Sequence, residues 1–142
     1  MPNPPLTRDA IIAEARTWIN TPIHHQGRLK GVGVDCVGFG VGVFRALGCT
    51  VQDRIDYPEY PQGDSLLQAL EAYLDRVQVT DALPGDILVF KNPKGEAQHV
   101  GFASDKGVIH AYFAVRKVVE HRLDDRWQRR IVAAYRYPEV TG

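Results

Sequence analysis

Residues 86–112 read DILVFKNPKGEAQHVGFASDKGVIHAY, three apolar runs separated by two short polar turns. The runs cover residues 86–90, 99–103 and 108–112 and are rich in β-branched and aromatic side chains, which favour strands. Turns this short connect neighbouring antiparallel strands. The stretch therefore predicts an antiparallel meander, which forms the centre of the predicted fold.

The chain on either side of this meander completes an α+β pattern. Two further strands are predicted at residues 115–120 and 131–137, which gives a sheet of about five strands. Before the meander, apolar residues at helical spacing predict helices over residues 7–20, 35–48 and 65–76. Helices followed by a meandering sheet indicate an α+β fold with the N-terminal helices packed on the sheet.

Length and charge limit the classes of function. The 142 residues fit one compact domain over residues 1–142, and the irregular connection at residues 51–64 is not rich enough in linker residues to divide it. Seventeen basic side chains balance seventeen acidic ones, which argues against a nucleic-acid partner or an anionic membrane surface. The start, MPNPP, is not a signal peptide, and no apolar run is long enough for membrane insertion, so synthesis in a bacterial cytoplasm is expected.

Cys36 lies at the predicted start of the second helix, directly after a glycine-rich loop. Free backbone N–H groups and the helix dipole stabilise an anion at such a position. A thiol there is expected to have a lowered pKa, and the same N–H groups can hold an oxyanion. Asp35 is the expected cap. The alternative is that Cys36 is a small buried apolar residue, and position alone does not decide between the two.

Two histidines occupy the predicted meander. His99 opens one strand and could accept the thiol proton of Cys36, and His110 lies on the next strand. If the strands pair as a hairpin with its centre near residue 105, the two imidazoles are near neighbours, and the second could orient the first. A histidine in a strand is also often only a partly buried, hydrogen-bonded side chain. Two facing histidines together with a cysteine at a helix start favour catalysis.

Other polar residues give weaker signals. His24 and His25 are adjacent on a loop and would point in opposite directions, so no metal site is predicted there; one of them could line a cleft or both could be solvated. Cys49 lies about 20 Å along the helix from Cys36, too far for a disulfide. The charged residues Asp124, Asp125, Arg126, Arg129 and Arg130 are predicted to form a solvated connection, whereas Trp18 and Trp127 are predicted to be core or cleft-edge aromatics.

Taken together, the chain resembles the NlpC/P60 family of papain-like cell-wall peptidases, in particular its phage-tail and gene-transfer-agent branch. The resemblance covers nearly the whole chain in the same order. It is carried by WINTPIHHQG at 18–27, DCVGF at 35–39, PGDI at 84–87, HVGF at 99–102, IHA at 109–111 and the tail over 118–138.

The resemblance implies a papain-like arrangement in which Cys36 is the nucleophile, His99 the base and His110 the orienting third residue. It implies hydrolysis of peptide bonds in peptidoglycan stem peptides, often between a D-γ-glutamyl residue and a diamino acid, without a cofactor. It also implies a setting at phage tail tips, with phage tail proteins as partners and action on the cell wall as part of a virion or phage-like particle.

The chain departs from the family pattern at Ile23, where many members carry tyrosine near the oxyanion site. The candidates for substrate or oxyanion contacts are therefore Asp35, His24, His25 and Gln26, together with backbone N–H groups. Two other functions stay open: a catalytically silent structural module of a tail, and a cysteine–histidine amidase or acyltransferase that acts on another amide.

Overall fold

The computed structural model describes residues 5–51 and 65–142, which form four α-helices, a two-stranded sheet and a six-stranded antiparallel sheet. The helices are α1 (Arg8–Arg16), α2 (Cys36–Ala46), α3 (Ser65–Glu71) and α4 (Asp125–Arg130). The strands are β1 (Arg28–Leu29), β2 (Gly33–Val34), β3 (Asp75–Val77), β4 (Ile87–Lys91), β5 (Ala97–Ser104), β6 (Gly107–Tyr112), β7 (Lys117–His121) and β8 (Ile131–Arg136). The predicted α+β class is confirmed. Within these ranges no helix has the length and apolarity needed to cross a membrane.

The large sheet has the strand order β3-β8-β4-β5-β6-β7, and the hairpin of β1 and β2 lies outside it. Side chains alternate between its two faces, so Val89 enters one core and Phe90 the other. The larger core joins α1 and α2 to the sheet. Phe39 and Phe44 of α2 both contact Phe102 of β5 edge to face, with ring centroids 5.4 and 5.6 Å apart.

The second core lies on the opposite face and is closed by α4. Asp124 caps this helix by accepting a hydrogen bond from the Trp127 N–H at 2.9 Å. The Trp127 side chain is buried against Leu88, Phe90 and Val108. The charged residues Asp124, Asp125, Arg126 and Arg129 are exposed, as predicted, and the prediction of Trp127 as a core or cleft-edge aromatic is confirmed by its burial. The connection itself is a short helix, which the sequence did not predict.

Two predicted helices are shorter than expected. The first ends at Arg16, and turns continue to Asn20, whose φ of 76° lies in the left-handed region. The third ends at Glu71, after which Asp75–Val77 pairs with β8 as an edge strand. This strand raises the sheet from about five strands to six. The irregular connection predicted at residues 51–64 falls, except for its first residue, outside the described residues.

The two ends of the described chain run side by side. The Thr141 N–H donates to the Leu6 carbonyl at 2.8 Å, and the Arg8 N–H donates to the Thr141 carbonyl at 3.3 Å. Thr7 and Thr141 thereby form a parallel bridge.

Asp86 joins these ends to the sheet. Its fully buried carboxylate accepts hydrogen bonds from Arg8 Nη1 at 2.9 Å, from Arg136 Nε and Nη2 at 3.0 and 2.9 Å, and from the Leu83 N–H at 2.8 Å. Burial alone would raise the pKa of Asp86, but the donors of Arg136, Leu83 and Arg8 outweigh it, so the pKa is lowered. The carboxylate is charged in the folded protein at neutral pH and holds α1, β8 and the turn before β4 together.

We expect Asp86→Asn to lower the free energy of unfolding by about 2–3 kcal/mol, the low end for a broken buried ion pair because both guanidinium groups are partly exposed. Urea unfolding at neutral pH measures the change. The matched control is Asp105→Asn, which removes an exposed carboxylate bound to Arg16 and should leave the free energy of unfolding nearly unchanged.

The difference in free energy of unfolding between the wild type and Asp86→Asn is expected to depend on pH. Because the pKa of Asp86 is lower in the folded state, its contribution is complete above the pKa of the unfolded chain and is lost as the pH falls toward the folded-state pKa. The difference between the wild type and Asp86→Asn should be constant near neutral pH and shrink below about pH 4. A difference that grows on acidification would contradict this account.

Candidate active site

The site begins at the N-terminus of α2, where Cys36 is the first helical residue. Asp35 precedes it in an extended conformation, and its Oδ1 accepts a hydrogen bond from the Gly38 N–H at 2.7 Å. This is the usual geometry of an N-cap carboxylate. The predicted helix start and cap are both confirmed.

Asp35 also holds the preceding loop against the helix. Its Oδ2 accepts a hydrogen bond from the Gln26 N–H at 2.7 Å, and its Oδ1 lies 3.2 Å from Arg28 Nη1. His25 Nδ1 lies 3.9 Å from the same carboxylate. These contacts give Asp35 a structural part in the site. Contacts of Asp35 or Gln26 with a substrate stay predictions.

Two glycines of α2 allow close packing. A Cβ at Gly38 would collide with the carbonyl oxygen of Gly27 and lie 2.7 Å from Arg28 Nη1. A Cβ at Gly42 would meet the indole ring of Trp18. Gly40, by contrast, faces open space. Packing therefore explains two of the three glycines in this helix, and Gly38 is the one that brings the loop onto the helix start.

The Cys36 sulfur lies between the helix start and strand β5. Burial and, to a smaller extent, the Asp35 carboxylate raise the pKa of the thiol to about 11, although the N–H groups of Val100, Val37 and Cys36 itself act to lower it. The lowered thiol pKa expected at a helix start is therefore wrong, because desolvation exceeds the stabilisation from the N–H groups. The contact with Val100 places the sulfur beside the residue that follows His99.

His99 and His110 are in direct contact, with 2.6 Å between His99 Nε2 and His110 Nδ1. The prediction of a hairpin centred near residue 105 with neighbouring imidazoles is confirmed: Ser104 pairs with Gly107, and the two histidines are diagonal neighbours across the strands. By this register Gly101 stands opposite His110. A Cβ there would lie 2.8 Å from the His110 Cβ, so the glycine leaves room for the imidazole to lean toward His99.

A third histidine extends this contact. His110 Nε2 lies 2.8 Å from His121 Nε2, and His121 Nδ1 lies 2.8 Å from the carbonyl oxygen of Arg122. His121 was not among the predicted site residues, because the fourth strand was predicted to end at residue 120. In the structure Val119 stands opposite His110 on the neighbouring strand. Alternate residues of a strand share a face, so extending the predicted strand by one residue would have placed His121 on the same face as Val119.

Aromatic rings enclose the central imidazole. His110 is fully buried, stacks on Tyr112 at a centroid distance of 5.0 Å and meets Trp127 at 5.0 Å. Burial lowers the pKa of His99 to about 4, with a smaller effect of the Arg130 guanidinium, and lowers the pKa of His110 further. Arg130 lies 4.4 Å above the Trp127 ring. Both His99 and His110 are thus neutral at neutral pH.

His24 Nδ1 is 2.9 Å from the carbonyl oxygen of His25, on the loop that Asp35 holds. Cys36 and Cys49 are both free, so the prediction that no disulfide joins them is confirmed. Over residues 5–51 and 65–142, no group of three or more histidine, cysteine or acidic side chains is arranged to hold a metal ion.

The sequence model of the NlpC/P60 family matches residues 20–136. The chain belongs to the NlpC/P60 family. Among solved structures, an NlpC/P60 family protein from Bacillus cereus ATCC 10987 superposes with a TM-score of 0.73 at 22% identity, over 95% of this chain and 41% of that one. The NlpC/p60 domain of the peptidoglycan hydrolase SagA gives a TM-score of 0.65 at 28% identity, over 91% and 97%.

The peptidoglycan hydrolase RipB from Mycobacterium tuberculosis gives a TM-score of 0.60 at 22% identity, over 91% of this chain and 63% of that one. The chain thus spans about two fifths of the Bacillus cereus protein, whereas it spans nearly all of the SagA domain. No match was found among the curated proteins. The predicted NlpC/P60 resemblance is confirmed for the family and its fold.

We expect Gly38→Ala to lower the free energy of unfolding by about 1–3 kcal/mol, because the added methyl group collides with the loop at Gly27. The matched control on the same helix is Gly40→Ala, which should stabilise by up to about 1 kcal/mol, since alanine favours a helix and the site is open. Urea unfolding compares the two variants. Equal effects of both would contradict the close packing described for Gly38.

The neutral state of the thiol can be tested directly. With the pKa of Cys36 raised to about 11, the resting protein should contain no Cys36 thiolate at neutral pH. The difference in ultraviolet thiolate absorbance between the wild type and Cys36→Ser should therefore appear only in alkaline solution. A thiolate signal already present at pH 7 would show instead that Cys36 and His99 form an ion pair at rest.

Proposed function

We propose that this chain is a cysteine peptidase that hydrolyses peptide bonds in peptidoglycan stem peptides. The observations that support the chemistry are the Cys36 thiol at a helix start, close to the backbone N–H of Val100, and the contact of the preceding residue, His99, with His110. The substrate class is supported by the family and by two structural neighbours, SagA and RipB, that are described as peptidoglycan hydrolases.

In this reaction His99 acts as the base. Its Nε2 is engaged by His110, which leaves Nδ1 to accept the thiol proton as the Cys36 sulfur attacks the carbonyl carbon. Because the thiol is neutral at rest, proton transfer accompanies the attack. The backbone N–H groups of Cys36 and Val37 at the helix start are the donors for the oxyanion.

The remaining steps return the site to its starting state. His99 delivers the proton to the leaving amine as the C–N bond breaks, and a thioester on Cys36 remains. His99 then takes a proton from water, whose oxygen attacks the thioester carbonyl. The C–S bond breaks, the acyl group leaves as a carboxylic acid, and the proton returns to the Cys36 sulfur.

The bond proposed for cleavage lies between a D-γ-glutamyl residue and a diamino acid. Its support is the resemblance of DCVGF, HVGF and IHA to the family motifs. The Gln26 N–H and the His25 imidazole lie close to the carboxylate of Asp35, the residue before Cys36, and His24 lies on the same loop. This supports a role of the loop in holding the stem peptide.

The proposed setting is a phage or phage-like tail, where the chain would digest the wall locally after synthesis in a bacterial cytoplasm. Its support is the resemblance of residues 18–27 and 118–138 to the tail-associated branch. Mass spectrometry of purified particles from an induced host tests it. Particles that contain the chain support the setting, and complete particles that lack it contradict the setting.

We expect Cys36→Ala to reduce cleavage of stem peptides by at least about 10³-fold, as removal of a nucleophile does in other hydrolases. Purified protein is incubated with stem peptides and whole sacculi, and products are identified by mass spectrometry. The matched control is Cys49→Ala, which removes the second free cysteine and should retain wild-type cleavage.

Other outcomes separate the alternatives. A folded wild type that leaves every stem peptide and the sacculi intact would contradict the peptidase and favour the structural tail module. A product that incorporates an added amine acceptor would identify an acyltransferase. Cleavage that survives in Cys36→Ala would remove Cys36 from the reaction.

A further inference from the structure

The three linked imidazoles end on a group that can only accept a hydrogen bond. His121 Nδ1 lies 2.8 Å from the carbonyl oxygen of Arg122. A carbonyl oxygen has no hydrogen to donate, so His121 must carry its proton on Nδ1. A neutral imidazole has one N–H, which leaves His121 Nε2 as an acceptor.

The position of the proton on His121 also fixes the positions of the protons on His110 and His99. Since His121 Nε2 accepts, His110 Nε2 must carry the proton in the 2.8 Å contact between them. His110 Nδ1 is then the acceptor of the 2.6 Å contact with His99 Nε2, which must donate. The proton of His99 is thereby fixed on Nε2, and Nδ1 is left with a free lone pair.

We propose that His121 is a positioning residue that, with the Arg122 carbonyl, fixes the tautomers of His110 and His99 and so keeps His99 Nδ1 available as the base. The inference rests on the proposed function for its consequence, because a bare Nδ1 matters only if His99 takes the thiol proton. The tautomers themselves can be observed without any reaction.

Burial explains why His110 needs His121. His110 is fully buried between Phe90, Tyr112 and Trp127, so an N–H group on its Nε2 can find a partner only on the protein. No buried side-chain nitrogen or oxygen of the described residues lacks a hydrogen-bond partner. Without an acceptor at residue 121, an unpaired buried N–H would be costly, and His110 would move its proton to Nδ1.

That shift would exchange the donor and acceptor roles of His110 and His99 in the hydrogen bond between them. His110 Nδ1 would then donate to His99 Nε2, and the proton of neutral His99 would lie on Nδ1. In this form His99 has no lone pair to offer the Cys36 thiol. The loss of one acceptor at residue 121 would thus disable a base two imidazoles away without altering any residue next to the thiol.

The experiment measures the protonation of each imidazole nitrogen by ¹H–¹⁵N NMR of histidine-labelled protein at about pH 8, above the usual titration range of histidine. In the wild type, Nε2 of His99, Nε2 of His110 and Nδ1 of His121 are expected to carry the protons. In His121→Leu the protons of His99 and His110 should move to Nδ1. In His121→Gln, whose amide oxygen can accept from His110, they should stay on Nε2.

The second measurement is the rate at which the wild type, His121→Leu and His121→Gln cleave a stem peptide. His121→Leu should lose at least about 10-fold in kcat with little change in KM, less than the ~10⁴-fold found when a catalytic histidine is held in the wrong tautomer. His121→Gln should retain most of the activity. Rescue by glutamine would distinguish the role of His121 as a hydrogen-bond acceptor from a purely steric role, because leucine and glutamine are of similar size.

Two results would overturn the proposal. One is a wild type in which His121 Nε2 or His99 Nδ1 carries the proton. The other is a folded His121→Leu protein in which the His99 and His110 protons do not move. If the NMR pattern is as expected but no stem peptide is cleaved by the wild type, the tautomer assignment stands and only the proposed reaction fails.

Discussion

The Asp35 carboxylate is the contact on which the arrangement of the site depends. It caps α2 through the Gly38 N–H and holds the loop before the helix through the Gln26 N–H and Arg28. Because Phe39 and Phe44 fix the same helix on strand β5, the helix start has only one position relative to the sheet. The thiol is therefore placed by local capping on one side and by packing of the core on the other.

Burial then decides the charge of the site. The Cys36 thiol and the His99 and His110 imidazoles all have pKa values moved toward the neutral form, and the dominant cause in each case is loss of solvent. At rest the thiol and both imidazoles are therefore neutral, although the Asp35 carboxylate and the Arg28 guanidinium lie close to the helix start. In the proposed reaction, negative charge would develop on the carbonyl oxygen of the substrate, where the N–H groups of the helix start could stabilise it.

Features set by local sequence were predictable, and features set by distant packing were not. The start of α2 at Cys36 and its cap at Asp35 follow from neighbours three residues away, and the strands that carry His99 and His110 follow from short alternating runs. The turn near residue 105 that brings the two histidines together also follows from the local pattern. The raised pKa of the thiol and the edge strand after α3 both depend on segments far apart in the chain, which no local pattern records.

The parallel bridge between Thr7 and Thr141 has a consequence for how this domain can be permuted or inserted into another protein. Since residues 6 and 141 are hydrogen-bonded neighbours, a short peptide could join them and new ends could be opened in an exposed turn such as the one at Lys94, between β4 and β5. Such a circular permutant would leave the loop before α2 and the start of that helix uncut. For the same reason the unit can be inserted into a surface loop of a host protein, since its entry and exit points occupy nearly the same place.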